Sequence, residues 1–508
     1  MSQVRHGTKP PVITEIGGVA SEHAAASKLG VDVLSMGGNA IDAAVTTSLA
    51  LAVTQPHLGG LGSDFFALIY IAREGRVYFI NSSGYAPRGL SRELLAQRGL
   101  SSVPQKGPLS MVVPGLLAGL YAIWRRFGSS EWHSLVKPVI ELARRGFPAG
   151  PSYVNAVNSV RNEVAGNEGF RGTYPMDVRP WDIIKMPRLA KTLELIAEHG
   201  PDALYRGEIG EAIVNHVQSI GGVLSMDDLR EFEPEWGEPI SIEYSGYMVY
   251  EMPPNTQGIT TLMILRMLED LGKRPSPFSR ERIETYLGIY RVAYSVRDEY
   301  VGDPRFVEVP ISKMLDLGFL RSRGYGAGAP LSGTGDTTYF TVVDREGNVV
   351  SAIQSLYHHF GSLVTEPTYG ITLNNRASDF SMEGPNALMP RKRPLHTLST
   401  VLVMKDGELK YSLGTSGAHF RPQLHTLFIT NIVDYGMNPV EAIEAQRFLW
   451  DRRNLIIEEG YDLSGLREPH QVIGYPGRTG VASIMAVLED KRKLLYSDVR
   501  GDGAALGI

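Results

Sequence analysis

The chain of 508 residues contains no cysteine. Disulfides, thiolate metal sites and a cysteine nucleophile are therefore excluded, and the composition suits a reducing compartment. A strong charge of either sign is also missing. The formal net charge is -5, without the basic excess that nucleic-acid binders carry. Long hydrophobic runs are absent too: the most apolar stretch, AIDAAVTTSLALAV at 40–53, holds Asp42 and several hydroxyls and is too short to span a bilayer. The opening MSQVRHGTKPPVITEIGG has no continuous apolar segment of the secretory kind. These absences lead us to expect a cytoplasmic protein with no nucleic-acid or membrane partner.

What is present is ordinary for a globular protein: 43% hydrophobic and 21% charged residues, in a chain long enough for a large core. Ser21 to Met36 reads as a helix stopped by Gly37-Gly38, after which Asn39 caps an Ala-rich, buried helix through about Val53. GGLGSD (59–64) reads as a tight turn with close backbone packing, because a strand follows it where a phosphate loop would need a helix N-terminus. Strands are expected at 65–72 and 77–82. The middle, 115–335, carries mainly helical spacing, with one helix opened by Pro253-Pro254. Hairpin patterns follow at 337–357, 401–414 and 482–498, with a helical pair between the last two. Strands and helices in grouped blocks suggest stacked sheets covered by helices.

Three stretches carry candidate chemistry. His358-His359 has no metal-ligand spacing and sits in a strand that sends neighbours to opposite faces, so no metal site is expected. GTSGAH (414–419) misses the G-x-S-x-G nucleophile elbow by one position, which leaves a serine hydrolase built on Ser416 as a rival reading. The same loop offers the small residues Gly417 and Ala418, whose backbone N–H groups can approach an oxyanion. In GTGDTTYFTVVD (333–344), a glycine-rich loop runs into a strand starting with a threonine pair. The bland reading of that pair is β-propensity. The sharper one is cleavage between Asp336 and Thr337, by attack of the Thr337 hydroxyl on the Asp336 carbonyl. Thr337 would then own a free α-amine, of ordinary pKa about 7.7–8.0, able to take its own hydroxyl proton.

The wider set of motifs resembles the γ-glutamyltransferase family of N-terminal-nucleophile hydrolases. It comprises GGNAIDAAVTTSLALAVTQPHLGGLGSDFF (37–66), VPGLLAGL (113–120), PPNTQG (253–258), RDEYVGDPRF (297–306), DTTYFTVVDREGNVVSAIQSLYHHFGS (336–362), LNNRASDF (373–380), RKRPLHTLST (391–400), GTSGAHFRPQ (414–423) and SDVRGDGAALG (497–507). The resemblance implies an α+β fold, the αββα sandwich, and a proenzyme that cuts itself before Thr337. Residues 1–336 and 337–508 would be two associated subunits of one intertwined domain. It also implies an amide hydrolase or acyltransferase that needs no cofactor or metal, with a small-molecule amide or γ-glutamyl compound as substrate. Homo-oligomerisation is left open. Thr337 falls on the family's nucleophile, Ser355 on its assisting hydroxyl, and Gly417 and Ala418 on its oxyanion pair.

The pocket departs from the family pattern. Ser83 stands where typical members have the Arg that binds the glutamyl α-carboxylate. Tyr357 replaces an Asn, and Arg376 a Gln or Glu, that help hold the α-amino group. Asp379 is kept, and His396-Thr397 replace a Ser pair. Two like charges about 4 Å apart at an effective dielectric near 20 repel by about 4 kcal/mol, so Arg376 disfavours a substrate ammonium, offset in part by Asp379. A guanidinium suits a carboxylate. The expectation is an acyl group bearing a carboxylate and no ammonium, as in the family's glutaryl-type acylases and an oxamate amidohydrolase. The alternatives are a glutathione-type γ-glutamyl donor, with Arg376 merely bridged to Asp379, the Ser416 hydrolase, and a relative that binds a small acid without turning it over.

Overall fold

A computed structural model describes residues 9–272, 274–323, 331 and 336–508, residue 336 by its backbone. Two seven-stranded sheets lie at its centre. The first runs Val12–Thr14, Lys493–Ser497, Ala482–Val487, Glu408–Thr415, Val401–Lys405, Tyr247–Glu251, Ile240–Tyr244. The second runs Ala504–Gly507, Gly18–Ser21, Asp336–Val343, Val349–Tyr357, Asp64–Ile71, Arg76–Ser82, Glu235–Gly237. All pairings in both are antiparallel. Each sheet takes strands from both sides of position 336.

Alternation along the strands builds the layers. In Asp64–Ile71, Phe66, Leu68 and Tyr70 join the apolar layer shared with Leu402, Met404 and Met485 of the other sheet. Phe65, Ala67, Ile69 and Ile71 face the opposite way, into a core of helices that includes Ala40–Thr54, Leu116–Phe127 and Trp132–Arg145. Val401 and Val403 likewise turn outward to a second helical core, with Gly258–Asp270, Arg280–Tyr300 and Arg421–Val433. The order is helix, sheet, sheet, helix: the αββα sandwich. No helix among the described residues is long and apolar enough to cross a membrane.

The helix expected from Ser21 begins at Ala24, capped by His23, because Gly18–Ser21 is taken up as a strand between its two neighbours. Asn39 does cap Ala40–Thr54, and Asp42 closes the capping box while also receiving Ser129 and Ser130. Among its described residues the helical middle also holds strands: the short pair Phe147–Pro148 and Ile183–Ile184, and 235–237, 240–244 and 247–251, whose short polar-apolar alternation gains its meaning only from the sheet edges they extend. Pro253-Pro254 does not open a helix; the helix starts at Gly258, after a turn that Thr256 closes onto Met252. The last part of the expected helical pair also differs: Pro439–Glu444 is helical, whereas Phe448–Trp450 is a strand of a separate three-stranded sheet.

GGLGSD is indeed a turn of close backbone approach. A Cβ on Gly62 would lie 2.2 Å from the Thr372 carbonyl oxygen, and Gly62 bridges to Leu373. This contact delivers Asp64 into the second sheet. We expect Gly62→Ala to destabilise the fold by about 1–3 kcal/mol, as overpacking against rigid backbone does, in urea unfolding. Gly166→Ala, where a Cβ meets nothing within 4 Å, should be within about 0.5 kcal/mol of wild type.

Candidate active site

The strand Asp336–Val343 is central in its sheet, paired on one edge with Val349–Tyr357 and on the other with Gly18–Ser21. At its start the register slips: Thr338 pairs with Gln354 but residue 336 pairs with Tyr357, so Thr337 faces two residues of the neighbouring strand. Such a bulge re-aims a side chain. Thr337 is 2% exposed, and its Oγ1 donates to Ser355 Oγ at 3.2 Å. Ser355 Oγ in turn accepts the Tyr357 amide at 2.8 Å. The two hydroxyls read from the sequence as nucleophile and assistant are thus in contact. The GTG stretch before them lies outside the described residues, so the loop reading of 333–335 has no structural counterpart here.

The candidate oxyanion pair follows the strand Glu408–Thr415 after one intervening residue. Gly417 has φ 131° and Ala418 φ 44°, a turn that a small residue accommodates with least strain. Both are buried, and among the described residues neither amide N–H has a hydrogen-bond acceptor. Buried donors of that kind are rare outside functional loops. Ser416, the rival nucleophile, uses its Oγ to accept the Val481 amide at 2.8 Å, and no histidine among the described residues contacts that hydroxyl. The Ser–His pair that the serine-hydrolase reading requires is not formed.

Arg376 is the centre of a buried charged cluster. It is 0% exposed, its Nη1 donates to Thr397 Oγ1 at 3.0 Å, and its guanidinium lies over the Tyr357 ring, 4.0 Å from the centroid. Its two nearest carboxylates stay beyond hydrogen-bond length: Asp64 Oδ2 at 3.7 Å and Asp379 Oδ2 at 3.8 Å. Asp379 is engaged elsewhere, accepting from Tyr357 Oη at 3.0 Å and from His419 Nε2 at 3.2 Å. Burial works against its charge, yet His419, Arg376 and Tyr357 outweigh burial and hold its carboxyl below the usual carboxylate range.

Asp64 takes the opposite course. Burial pushes its carboxyl up to about 7, against the pull of Arg376, the Gly84 amide and Arg393. Its Oδ1 accepts the Gly84 N–H at 2.7 Å, and its Oδ2 accepts from His396 Nε2 at 3.0 Å. His396 Nδ1 accepts the Leu398 amide, which leaves the proton on Nε2. Burial, with Arg376, Arg421 and Arg393 nearby, holds that imidazole well below the usual histidine range and so neutral.

The structure therefore gathers Thr337, Ser355, Tyr357, Arg376, Asp379, His396 and Thr397 in a connected set. Ser83 is the exception. Its hydroxyl donates to Asn81 Oδ1 at 2.7 Å, and only its neighbour Gly84 reaches the cluster, through Asp64. Gln257, His419 and Asp64 were not singled out from the sequence. Gln257 Nε2 donates to both the Thr397 and the Ala418 carbonyls, at 2.9 and 2.8 Å, and so ties the pocket to the oxyanion loop. The signal for it was the PPNTQG motif, and for His419 the residue after the oxyanion pair. His358 Nδ1 contacts Asn375 Nδ2 at 2.9 Å, and the described residues hold no metal-sized group of His, Asp and Glu.

Comparison with known proteins sets this geometry in context. The family model for gamma-glutamyltranspeptidase matches residues 26–508. The chain is 35% identical over 521 residues to the glutathione hydrolase-like YwrD proenzyme of Bacillus subtilis, covering 96% of this chain and 98% of that one. It is 32% identical over 495 residues to the glutathione hydrolase proenzyme of Escherichia coli, covering 90% and 85%. The structure of a cephalosporin acylase from Bacillus halodurans superposes with a TM-score of 0.91 at 29% identity, over 99% of this chain and 98% of that chain. With this match along its length and this fold, the chain belongs to the gamma-glutamyltranspeptidase family of N-terminal-nucleophile hydrolases.

Proposed function

We propose that this protein is a self-processing threonine amidohydrolase that cleaves amides whose acyl group carries a carboxylate in place of the glutamyl amine. The observation that carries the reading is the Thr337 hydroxyl, buried at a bulge and bonded to Ser355. The proenzyme names of the relatives support a cut precursor. In that cut, Thr337 Oγ1 attacks the carbonyl of residue 336, the peptide nitrogen leaves as an amine, and water hydrolyses the ester. The fragments 1–336 and 337–508 stay together because both sheets interleave their strands.

In turnover the freed α-amine takes the hydroxyl proton, and Oγ1 adds to the substrate amide carbonyl. The Gly417 and Ala418 amides receive the oxyanion, the amine departs with the proton, and water or an acceptor amine takes the acyl group from the ester. Arg376, held off both carboxylates, has guanidinium nitrogens left for the acyl carboxylate. Glutathione-type donors are the rival reading, favoured by the names of the relatives and by the ionised Asp379.

Purified wild type should run as two bands on a denaturing gel, with Thr337 as the N-terminal residue of the smaller. Thr337→Ala should run as one band and be inactive, while Ser416→Ala should still be cut. An uncut, active wild type sinks the mechanism. With a glutaryl and a γ-glutamyl anilide, kcat/KM should favour the glutaryl compound by roughly tenfold or more, since about 4 kcal/mol of repulsion at Arg376 is offset only in part by Asp379. The reverse preference would establish the rival.

The pH dependence has a definite sign. Below about 7 Asp64 is protonated and Arg376 keeps its full pull on an anion; above it Asp64 ionises beside Arg376. KM for the glutaryl compound should therefore rise through that range, while kcat rises with loss of the α-amine proton, near 8. A KM that is flat between pH 6 and 8 would count against the role given to Asp64.

A further inference from the structure

Arg421 opens the helix Arg421–Val433 immediately after the oxyanion loop. It is 0% exposed, and its Nε donates to the Thr415 carbonyl at 2.7 Å. Among the described residues its Nη1 and Nη2 are buried without a hydrogen-bond partner, as are Nε and Nη2 of Arg376. A buried guanidinium with unused donors is costly unless an anion completes it. The two carboxylates that bear on Arg421 do not complete it. Glu251 Oε1 is bonded to His425 Nδ1 at 2.7 Å, and Glu22 Oε1 accepts the Tyr339 amide at 3.1 Å.

The two arginines are tied to the same loop by short chains of hydrogen bonds. Gln257 bridges the Thr397 and Ala418 carbonyls; Arg376 is bonded to the Thr397 side chain, and Arg421 to Thr415, two residues before Gly417. They also act on each other. Burial first, and Arg376 next, push the Arg421 guanidinium down to about 9, with Glu251 and Glu22 pulling the other way. A carboxylate offers two oxygens and about four lone-pair sites, enough for donors from two guanidinium groups.

We propose that Arg421 is a second substrate-binding residue, and that the free carboxylate of the acyl group is held between Arg376 and Arg421 beside the oxyanion loop. This rests on the carboxylate-acyl reading above and deepens it: specificity for an anionic acyl group comes from a guanidinium pair, and not from Arg376 alone. The pair also adds a second positive charge against any substrate ammonium. An acyl group of equal length without the carboxylate gains nothing from either.

The test compares wild type, Arg421→Gln, Arg421→Lys and Arg376→Gln on glutaryl and butyryl anilides, after a gel has shown each to be cut. Arg421→Gln should raise KM for the glutaryl anilide by roughly tenfold to hundredfold, the loss of charged hydrogen bonds, with kcat within about threefold. Arg421→Lys should recover part of that loss, and the butyryl anilide should be unaffected by either. An equal loss on both substrates would mean that Arg421 only supports the loop, and would overturn the proposal. Should Arg376→Gln leave the glutaryl-to-butyryl ratio unchanged while Arg421→Gln collapses it, the reading of Arg376 fails and that of Arg421 stands. If Arg421→Gln is not cut, a wild-type crystal soaked in glutarate decides. A carboxylate at about 3 Å from Nη1 or Nη2 of Arg421 supports the pair, and one seated on Arg376 alone overturns it.

Discussion

The central position of the strand Asp336–Val343 governs everything the site can do. It is paired along one edge with Val349–Tyr357 and along the other, over Thr341–Val343, with Gly18–Ser21, and it is buried on both faces, with Tyr339 and Val343 toward the other sheet and Phe340 and Val342 toward the helices. A chain end created at Thr337 would therefore project from a strand anchored on both sides four residues further on, with the Tyr339 amide held by Glu22. A nucleophile, an assisting hydroxyl and oxyanion amides need positions fixed within fractions of an ångström, and the buried strand and its neighbour Val349–Tyr357 give the candidate groups Thr337 and Ser355 a common frame. The bulge at Thr337 adds the one local departure, turning its hydroxyl onto Ser355.

Around this rigid origin the pocket is governed by charge without solvent. Arg376 has two carboxylates within 4 Å and is hydrogen-bonded by neither: both oxygens of Asp64 accept other donors, Gly84 and His396, whereas Asp379 spends Oδ1 on Tyr357 and His419 and turns Oδ2, without a hydrogen bond among the described residues, toward Arg376. The commitments differ in kind. Asp379 receives donors beside positive charge and stays ionised, whereas Asp64, the more deeply desolvated, is pushed to the middle of the physiological range. The neutral His396 supplies a hydrogen bond without adding charge. The result is a buried cluster in which Arg376 keeps guanidinium nitrogens without a hydrogen-bond partner among the described residues, the basis of the proposed preference for an anion.

That balance underlies the proposal of an anionic acyl group. Relatives named as glutathione hydrolases match the chain in sequence and a cephalosporin acylase matches it in fold, so membership of the family does not select one acyl group. In the proposal the selection lies in the side chains around Arg376, a positive charge buried at the site.

Much of the fold was legible in local sequence: the Asn39 cap, the Gly62 turn, the three hairpins and the strand after residue 336 each rest on residues close together in the chain. The candidate reacting groups rest on neighbours too, since Thr337 and Ser355 lie on one hairpin and Gly417 and Ala418 in one loop. The strands at 235–251 were not legible, because their pattern is short and becomes a strand only where a sheet edge accepts it. Nor were the roles of Asp64, Gln257 and Arg421. Asp64 and His396 are 332 residues apart, and Gln257 and Ala418 are 161; no spacing rule links such pairs. Sequence alone determined the family, the candidate nucleophile and the type of charge at each pocket position. Which carboxylate would be free to neutralise Arg376 was decided only by tertiary structure, because hydrogen bonding and desolvation depend on neighbours that the folded chain brings together.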